Sequence, residues 1–112
     1  MGINVSQIYQ YTVILVNLDP TLGSEIQQTK PCVVVSPNEM NKYLKTIIVC
    51  PLTTNLKQYP TRISVRFQNK KGMIAIDQIR TIDKMRIVKI LGELEKNEVQ
   101  NCKQIIKETF LD

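Results

Sequence analysis

With no histidine in its 112 residues, this chain must run any acid–base chemistry on carboxylates, Lys, Arg, Tyr or hydroxyls. The absence removes Ser-His-Asp and Cys-His hydrolases, His-based zinc sites and ribonucleases built on a His pair. Four segments carry residue types that could act instead. The first runs from Asp19-Pro20-Thr21-Leu22-Gly23-Ser24-Glu25 to Lys30-Pro31. It is long for a connection between two strands, and long loops on rigid scaffolds are often functional. The second is Pro51-Leu52-Thr53-Thr54, a pair of hydroxyls closing an apolar run; such pairs are more often turn or edge residues. The third, residues 78–86, alternates basic and apolar side chains, as a solvated connection also would. The fourth is Tyr59-Pro60-Thr61-Arg62, unremarkable alone.

The charge pattern shows which chemistry these groups would serve. The net charge is +5, but residues 30–89 hold twelve Lys/Arg against Glu39, Asp77 and Asp83, a balance of +9 between ends of −2 each. A basic middle suits a polyanion, nucleic acid first. Charge alone is equally compatible with a solvated basic face. Only six aromatics are present and no Trp, so extensive base stacking is not expected.

Positioning these groups requires a scaffold, and 43% hydrophobic with 22% charged residues is the balance of a folded domain. The length suits a single domain over 1–112. Residues 11–18, 31–35 and 46–52 are β-branched, nearly continuous apolar runs and predict buried strands. Pro31 is then the first residue of its strand. Ser36-Pro37-Asn38-Glu39 reads as a capping box opening a short helix to about Tyr43. Ile63, Val65 and Phe67 alternate with Arg62, Ser64 and Arg66, a strand with one apolar and one basic face. Lys70-Lys71-Gly72 reads as the turn into a strand over 73–76, and 87–91 as a further strand. Val99, Cys102, Ile106 and Phe110 recur at helical spacing, with Ile105 beside them. Many short strands followed by one amphipathic helix predict a small β-barrel or strongly bent sheet with a helix packed on it.

Cys32, Cys50 and Cys102 are scattered. Without a basic-then-apolar N-terminal segment they read as reduced, buried thiols of a cytoplasmic protein. Gly2 and Ser6 give a weak myristoylation pattern. No stretch has the ~20 apolar residues of a membrane helix.

Taken in order, the segments resemble the MazF/PemK family of toxin endoribonucleases. The matching residues are Asp19-Pro20-Thr21, Gly23-Ser24-Glu25, Lys30-Pro31 with Val33-Val34-Val35-Ser36-Pro37, Pro51-Leu52-Thr53-Thr54, Tyr59-Pro60-Thr61, and 77–84. The resemblance spans about residues 11–110. It implies an SH3-like, CcdB-type β-barrel with a C-terminal helix, and a homodimer with an RNA groove at or near its interface. It also implies metal-independent, cofactor-free cleavage of single-stranded RNA. In that reaction the ribose 2′-OH attacks the neighbouring phosphate, leaving a 2′,3′-cyclic phosphate and a 5′-OH. The resemblance makes Lys30, Thr53 and Glu25 the catalytic residues, with Lys30 standing where the family carries Arg. The expected RNA contacts are Ser24, Thr54, Lys57, Arg62, Arg66, Arg80 and Lys84, with Lys70 and Lys71 beside them; Arg80 and Lys84 suit interface support equally. Gln10-Tyr11 replaces a family Gly-Asp and reads as structural. The expected partner is a cognate antitoxin with an acidic segment. Two other readings stay open: a member that only binds RNA or antitoxin, and a CcdB-like gyrase poison.

Overall fold

Strands buried on both faces need no polar alternation, and the three apolar runs have none. In a computed structural model, which describes residues 8–18 and 29–111, those runs become β1 (Thr12–Asn17), β2 (Thr29–Val34) and β3 (Thr46–Thr53). Helix α1 (Asn38–Tyr43) joins β2 to β3. Then follow β4 (Arg62–Phe67), β5 (Lys70–Ala75), β6 (Arg80–Asp83), β7 (Ile87–Glu93) and α2 (Lys96–Phe110). Short 3₁₀ turns lie at Ile76–Gln78 and Lys84–Arg86. The strands form one antiparallel, seven-stranded curled sheet in the order β4-β5-β3-β2-β1-β7, with β6 also paired to β3. The mainly-β fold with a C-terminal helix is as expected.

Two apolar clusters lie on the two sides of the central strands. Val13, Val33 and Cys50 meet Ile63, Val65 and Ile74, and Cys102 of α2 with Val99, Ile105 and Ile106. The alternate residues Ile14, Val16, Cys32, Val34, Ile47 and Val49 meet Ile8 and Ile82. The sheet curls far enough for its terminal strands to touch. A Cβ on Gly92 of β7 would meet the Phe67 ring of β4 at 3.2 Å, and Gly92 sits at φ +155.

Four local expectations are corrected. The β4–β5 turn is Gln68-Asn69, at φ 51 and 63, between the paired Phe67 and Lys70. This two-residue loop needs φ > 0 twice, so Lys70-Lys71-Gly72 belongs to the strand. Strand β2 opens at Thr29, which makes Pro31 its third residue. No side chain caps α1. Instead the Ser36 hydroxyl donates to Asn41 Oδ1 and accepts from the Ile48 N–H at 3.0 Å, tying α1 to β3. The apolar stripe of α2 ends at Ile106, since Phe110 is exposed. A capping box does form at the start of α2, between Glu95 and Glu98. The half of the residue 78–86 segment read as a possible solvated connection is strand β6.

Gln10 holds the chain where it approaches β1: its N–H donates to Asn38 Oδ1 at 2.7 Å and its side-chain amide to the Val35 carbonyl at 2.9 Å. Those bonds fit the structural reading of Gln10-Tyr11. Residues 19–28, which include Ser24 and Glu25, lie outside the described residues.

Candidate active site

Two prolines decide where the sheet opens. Pro31 on β2 and Pro51 on β3 lack the N–H that a ladder needs. The β2–β3 ladder runs Val34↔Val49, Val33↔Cys50, Cys32↔Pro51 and stops. Beyond it β2 stays paired to β1, through Pro31↔Leu15 and Lys30↔Val16. Strand β3 changes partner and pairs β5, through Leu52↔Ile74 and Thr53↔Met73. Lys30 and Thr53 thus flank the point where β2 and β3 part.

Alternation settles which way these residues face. Cys32, Val49 and Ile82 belong to one core cluster. Lys30, Thr53 and Arg80 are each an even number of residues from one of them on the same strand, so all three lie on that side of the sheet. Arg80 is opposite Val49. The Cys32 thiol senses both cations. Burial pushes it up to about 11, and Lys30 and Arg80 pull the other way.

Beside Thr53 is a hollow of about 180 Å³, lined by Pro31, Thr53, Thr54, Lys70, Lys71 and Gly72 among others. The Thr53 hydroxyl accepts the Asn55 N–H at 3.1 Å, and Asn55 Oδ1 accepts the Lys57 N–H at 3.1 Å. That chain fixes the Thr53 oxygen and leaves its proton to donate into the hollow. A hydroxyl donor, two lysines and a third lysine across the strand gap make a site for a phosphate.

The other expected contacts divide. Arg66 and Lys71 are directly opposite on β4 and β5, both exposed and on the Thr53 side, since Ser64, Met73 and Thr53 form one row across three strands. Lys57 lies on the exposed β3–β4 loop with its ammonium 5.4 Å from the Tyr59 ring centre. Arg62 is already engaged. Its Nε and Nη2 donate to the two Asp77 oxygens at 2.7 and 3.1 Å, its guanidinium lies 5.3 Å from the Tyr59 ring centre, and its side chain is only 10% exposed. The Arg62 hydrogen bonds, helped by the Thr61 hydroxyl, hold the Asp77 carboxyl down at about 2. Arg62 therefore serves the loop's shape rather than a free anion. Lys84 is not brought to the hollow. It follows Asp83, which pairs Thr46 at the far end of β3, and its N–H donates to the Lys45 carbonyl.

Leu56, Gln58 and Met73, which line a larger hollow beside the first, were missed in the sequence. Only the alternation of β5 could have pointed to Met73. Among the described residues no cluster of His, Cys, Asp and Glu could hold a metal ion, and no helix is long and apolar enough to cross a membrane.

Comparison with known proteins agrees with this architecture. A curated relative, the Staphylococcus epidermidis protein named endoribonuclease MazF, is 33% identical over a 102-residue alignment covering 83% of this chain and 85% of that one. A mycobacterial endoribonuclease solved with its cognate antitoxin superposes with a TM-score of 0.78 at 20% identity, covering 90% of this chain and 92% of that one. A MazE-MazF structure from Deinococcus radiodurans gives 0.77 at 21% identity, covering 91% and 94%. These two likenesses bear on the fold. Residues 9–110 match the family described as PemK-like, MazF-like toxin of type II toxin-antitoxin system. With that match over nearly the whole chain, beside the staphylococcal relative, the chain belongs to the PemK-like, MazF-like family of toxins.

Proposed function

We propose that this chain is the toxin of a toxin–antitoxin pair and a sequence-specific endoribonuclease that cuts single-stranded RNA by transesterification. The observation that carries the reading is the placing of Lys30, Thr53 and Arg80 on one side of the sheet, at the end of the β2–β3 ladder. The substrate supplies its own nucleophile, the ribose 2′-OH, so the protein's tasks are proton transfer and stabilisation of the charge that develops on phosphorus. The Thr53 hydroxyl donates to a non-bridging phosphate oxygen. The Lys30 ammonium faces the same phosphate from β2 and offsets its added negative charge. Glu25 is the proposed proton acceptor for the 2′-OH, with Ser24 beside it. The 5′-oxygen leaves with a proton, giving a 2′,3′-cyclic phosphate and a 5′-OH. Thr54, Lys70, Lys71, Arg66, Lys57 and Arg80 hold the flanking phosphates, and Lys84 lies too far along β3 for this hollow.

The chain acts as a cytoplasmic homodimer in this reading, and a cognate antitoxin silences it with an acidic segment laid over the same basic surface. The test is incubation with long single-stranded RNA in EDTA, with the new ends mapped. Discrete cuts with 5′-OH ends are expected. Intact RNA would overturn the nuclease reading and leave a chain that only binds.

A further inference from the structure

A second hollow lies against the first. It has a volume of about 430 Å³ and lies between the β3–β4 loop, which contributes Leu56 and Gln58, and the outward side of β4–β5, which contributes Ser64, Arg66, Lys71 and Met73. Lys71 and Gly72 line both hollows, so the two are continuous. We propose that this larger hollow is the base-reading subsite of the enzyme, taking the nucleobase next to or one removed from the scissile phosphate. The inference rests on the nuclease reading and adds where sequence is read.

Four observations support it. Size separates the two hollows: 430 Å³ falls within the range of ~300–1,000 Å³ typical of small-molecule sites and 180 Å³ falls below it. The smaller one suits a phosphate and the larger one a base. Distance fits as well. Thr53, Met73 and Ser64 are successive neighbours across three strands, which puts Ser64 about 10 Å from Thr53, two strand spacings away.

Charge gives the third. Arg66 and Lys71 stand directly opposite each other, an arrangement that repels in the free protein, and neither is ion-paired among the described residues. A phosphate between the hollows removes that repulsion. Finally, the lining has the make-up of a reader. Leu56 is half exposed and Met73 supplies a second apolar wall. The Gln58 amide offers donors and an acceptor, and the Ser64 hydroxyl offers one of each. Gln58 Nε2 and Ser64 Oγ are 3.5 Å apart, too long for a strong mutual bond, so both are available to the edge of a base. Unstacked bases of single-stranded RNA are recognised in just this way, along their polar edges.

The test uses single-stranded RNA oligonucleotides with a 2′-deoxy sugar at the cut, which bind without being cleaved. One oligonucleotide carries an abasic site at each position in turn. With the parent protein, one abasic position beside the cut should weaken binding about tenfold, within the range for one well-placed base contact. With Gln58→Leu combined with Leu56→Ala, both on an exposed loop, that penalty should disappear while penalties elsewhere stay. Mapped cleavage of the matching all-ribose RNAs should lose its base preference at the same position only. Equal abasic penalties in parent and variant would overturn the subsite. A parent that shows the abasic pattern yet never cuts would overturn the nuclease reading and support the subsite. A parent that neither binds nor cuts would overturn both.

Discussion

Replacing Lys30 with Met keeps the aliphatic stem on β2 and removes one charge. Lys30 is half-buried and borders a hollow open to solvent, so the dielectric it works in lies between a protein surface (~20) and water (~80). An ammonium about 6 Å from the phosphorus then stabilises one added negative charge by about 0.7 to 2.8 kcal/mol. The middle of that range, about 1.4 kcal/mol, is roughly tenfold in rate. Lys30→Met should therefore cut about ten times more slowly. Lys30→Arg should equal or exceed the parent, because guanidinium restores the charge and adds a planar two-pronged contact to phosphate. The assay is single-turnover cleavage of one single-stranded RNA at saturating protein, with each variant's fold verified by its thermal melt. Parent-rate cutting by a folded Lys30→Met would remove Lys30 from the chemistry and refute the placement argument built on the β2–β3 gap.

Other expectations follow from the same geometry. Burial pushes the Cys32 thiol up to about 11 and those of Cys50 and Cys102 up to about 12, so the thiolate is scarce. Iodoacetamide at about pH 8 should leave all three unmodified in the folded protein, as mass spectrometry will read, with cleavage unchanged. Gly92→Ala puts a Cβ against the Phe67 ring at a φ that side chains resist, and should destabilise by about 1–3 kcal/mol in a urea melt. The folded Asp77 carboxyl, at about 2, lies below an unfolded aspartate at ~3.9. Its contribution is present above about pH 4 and is lost as pH falls toward about 2. The pair is partly exposed and contributes at most ~1 kcal/mol, so Asp77→Asn should melt slightly lower near neutrality and converge on the parent in acid. An acidic antitoxin peptide should displace uncleavable RNA, with both affinities falling as salt is added; simultaneous binding would refute a shared surface.

The strands of the core were legible because β1, β2 and β3 are buried on both faces and their sequences show it as unbroken β-branched runs. Strand β6 was not legible. Arg80-Thr81-Ile82-Asp83 has a single buried apolar residue, Ile82, and is a strand because β3 offers it four pairing positions. The hairpin turn was misplaced because Gly72 is the louder signal, while Gln68 and Asn69 adopt the positive φ that closes the loop. The Ser36 cap failed for a similar reason. Its hydroxyl had a better use against Asn41 and Ile48 than against the first turn of α1. Among site residues, the types at Lys30 and Thr53 were readable as chemistry. Their common side was not, since it depends on the register at which β2 meets β3. Arg62 misled because alternation placed it with Ser64 and Arg66, whereas its partner Asp77 lies fifteen residues away.

The position of the site follows from a conflict inside β3. Its first half is held by β6 and β2, its last two residues by β5, and the handover falls at Pro51-Leu52. A continuous ladder there would fill the space between Lys30 and Thr53 with backbone hydrogen bonds. Pro51 opposite Cys32, with Pro31 next to it, ends that ladder without unfolding either strand, because β1 and β5 keep the backbones paired on their other sides. The outcome is an opening whose walls are rigid strands and whose rim is short polar loop. Substituting Pro31 or Pro51 by Val would restore an N–H and favour extending the ladder by one pair. On this argument such a variant would gain stability and lose activity together, because the gap that the strands leave open is the space the phosphate needs.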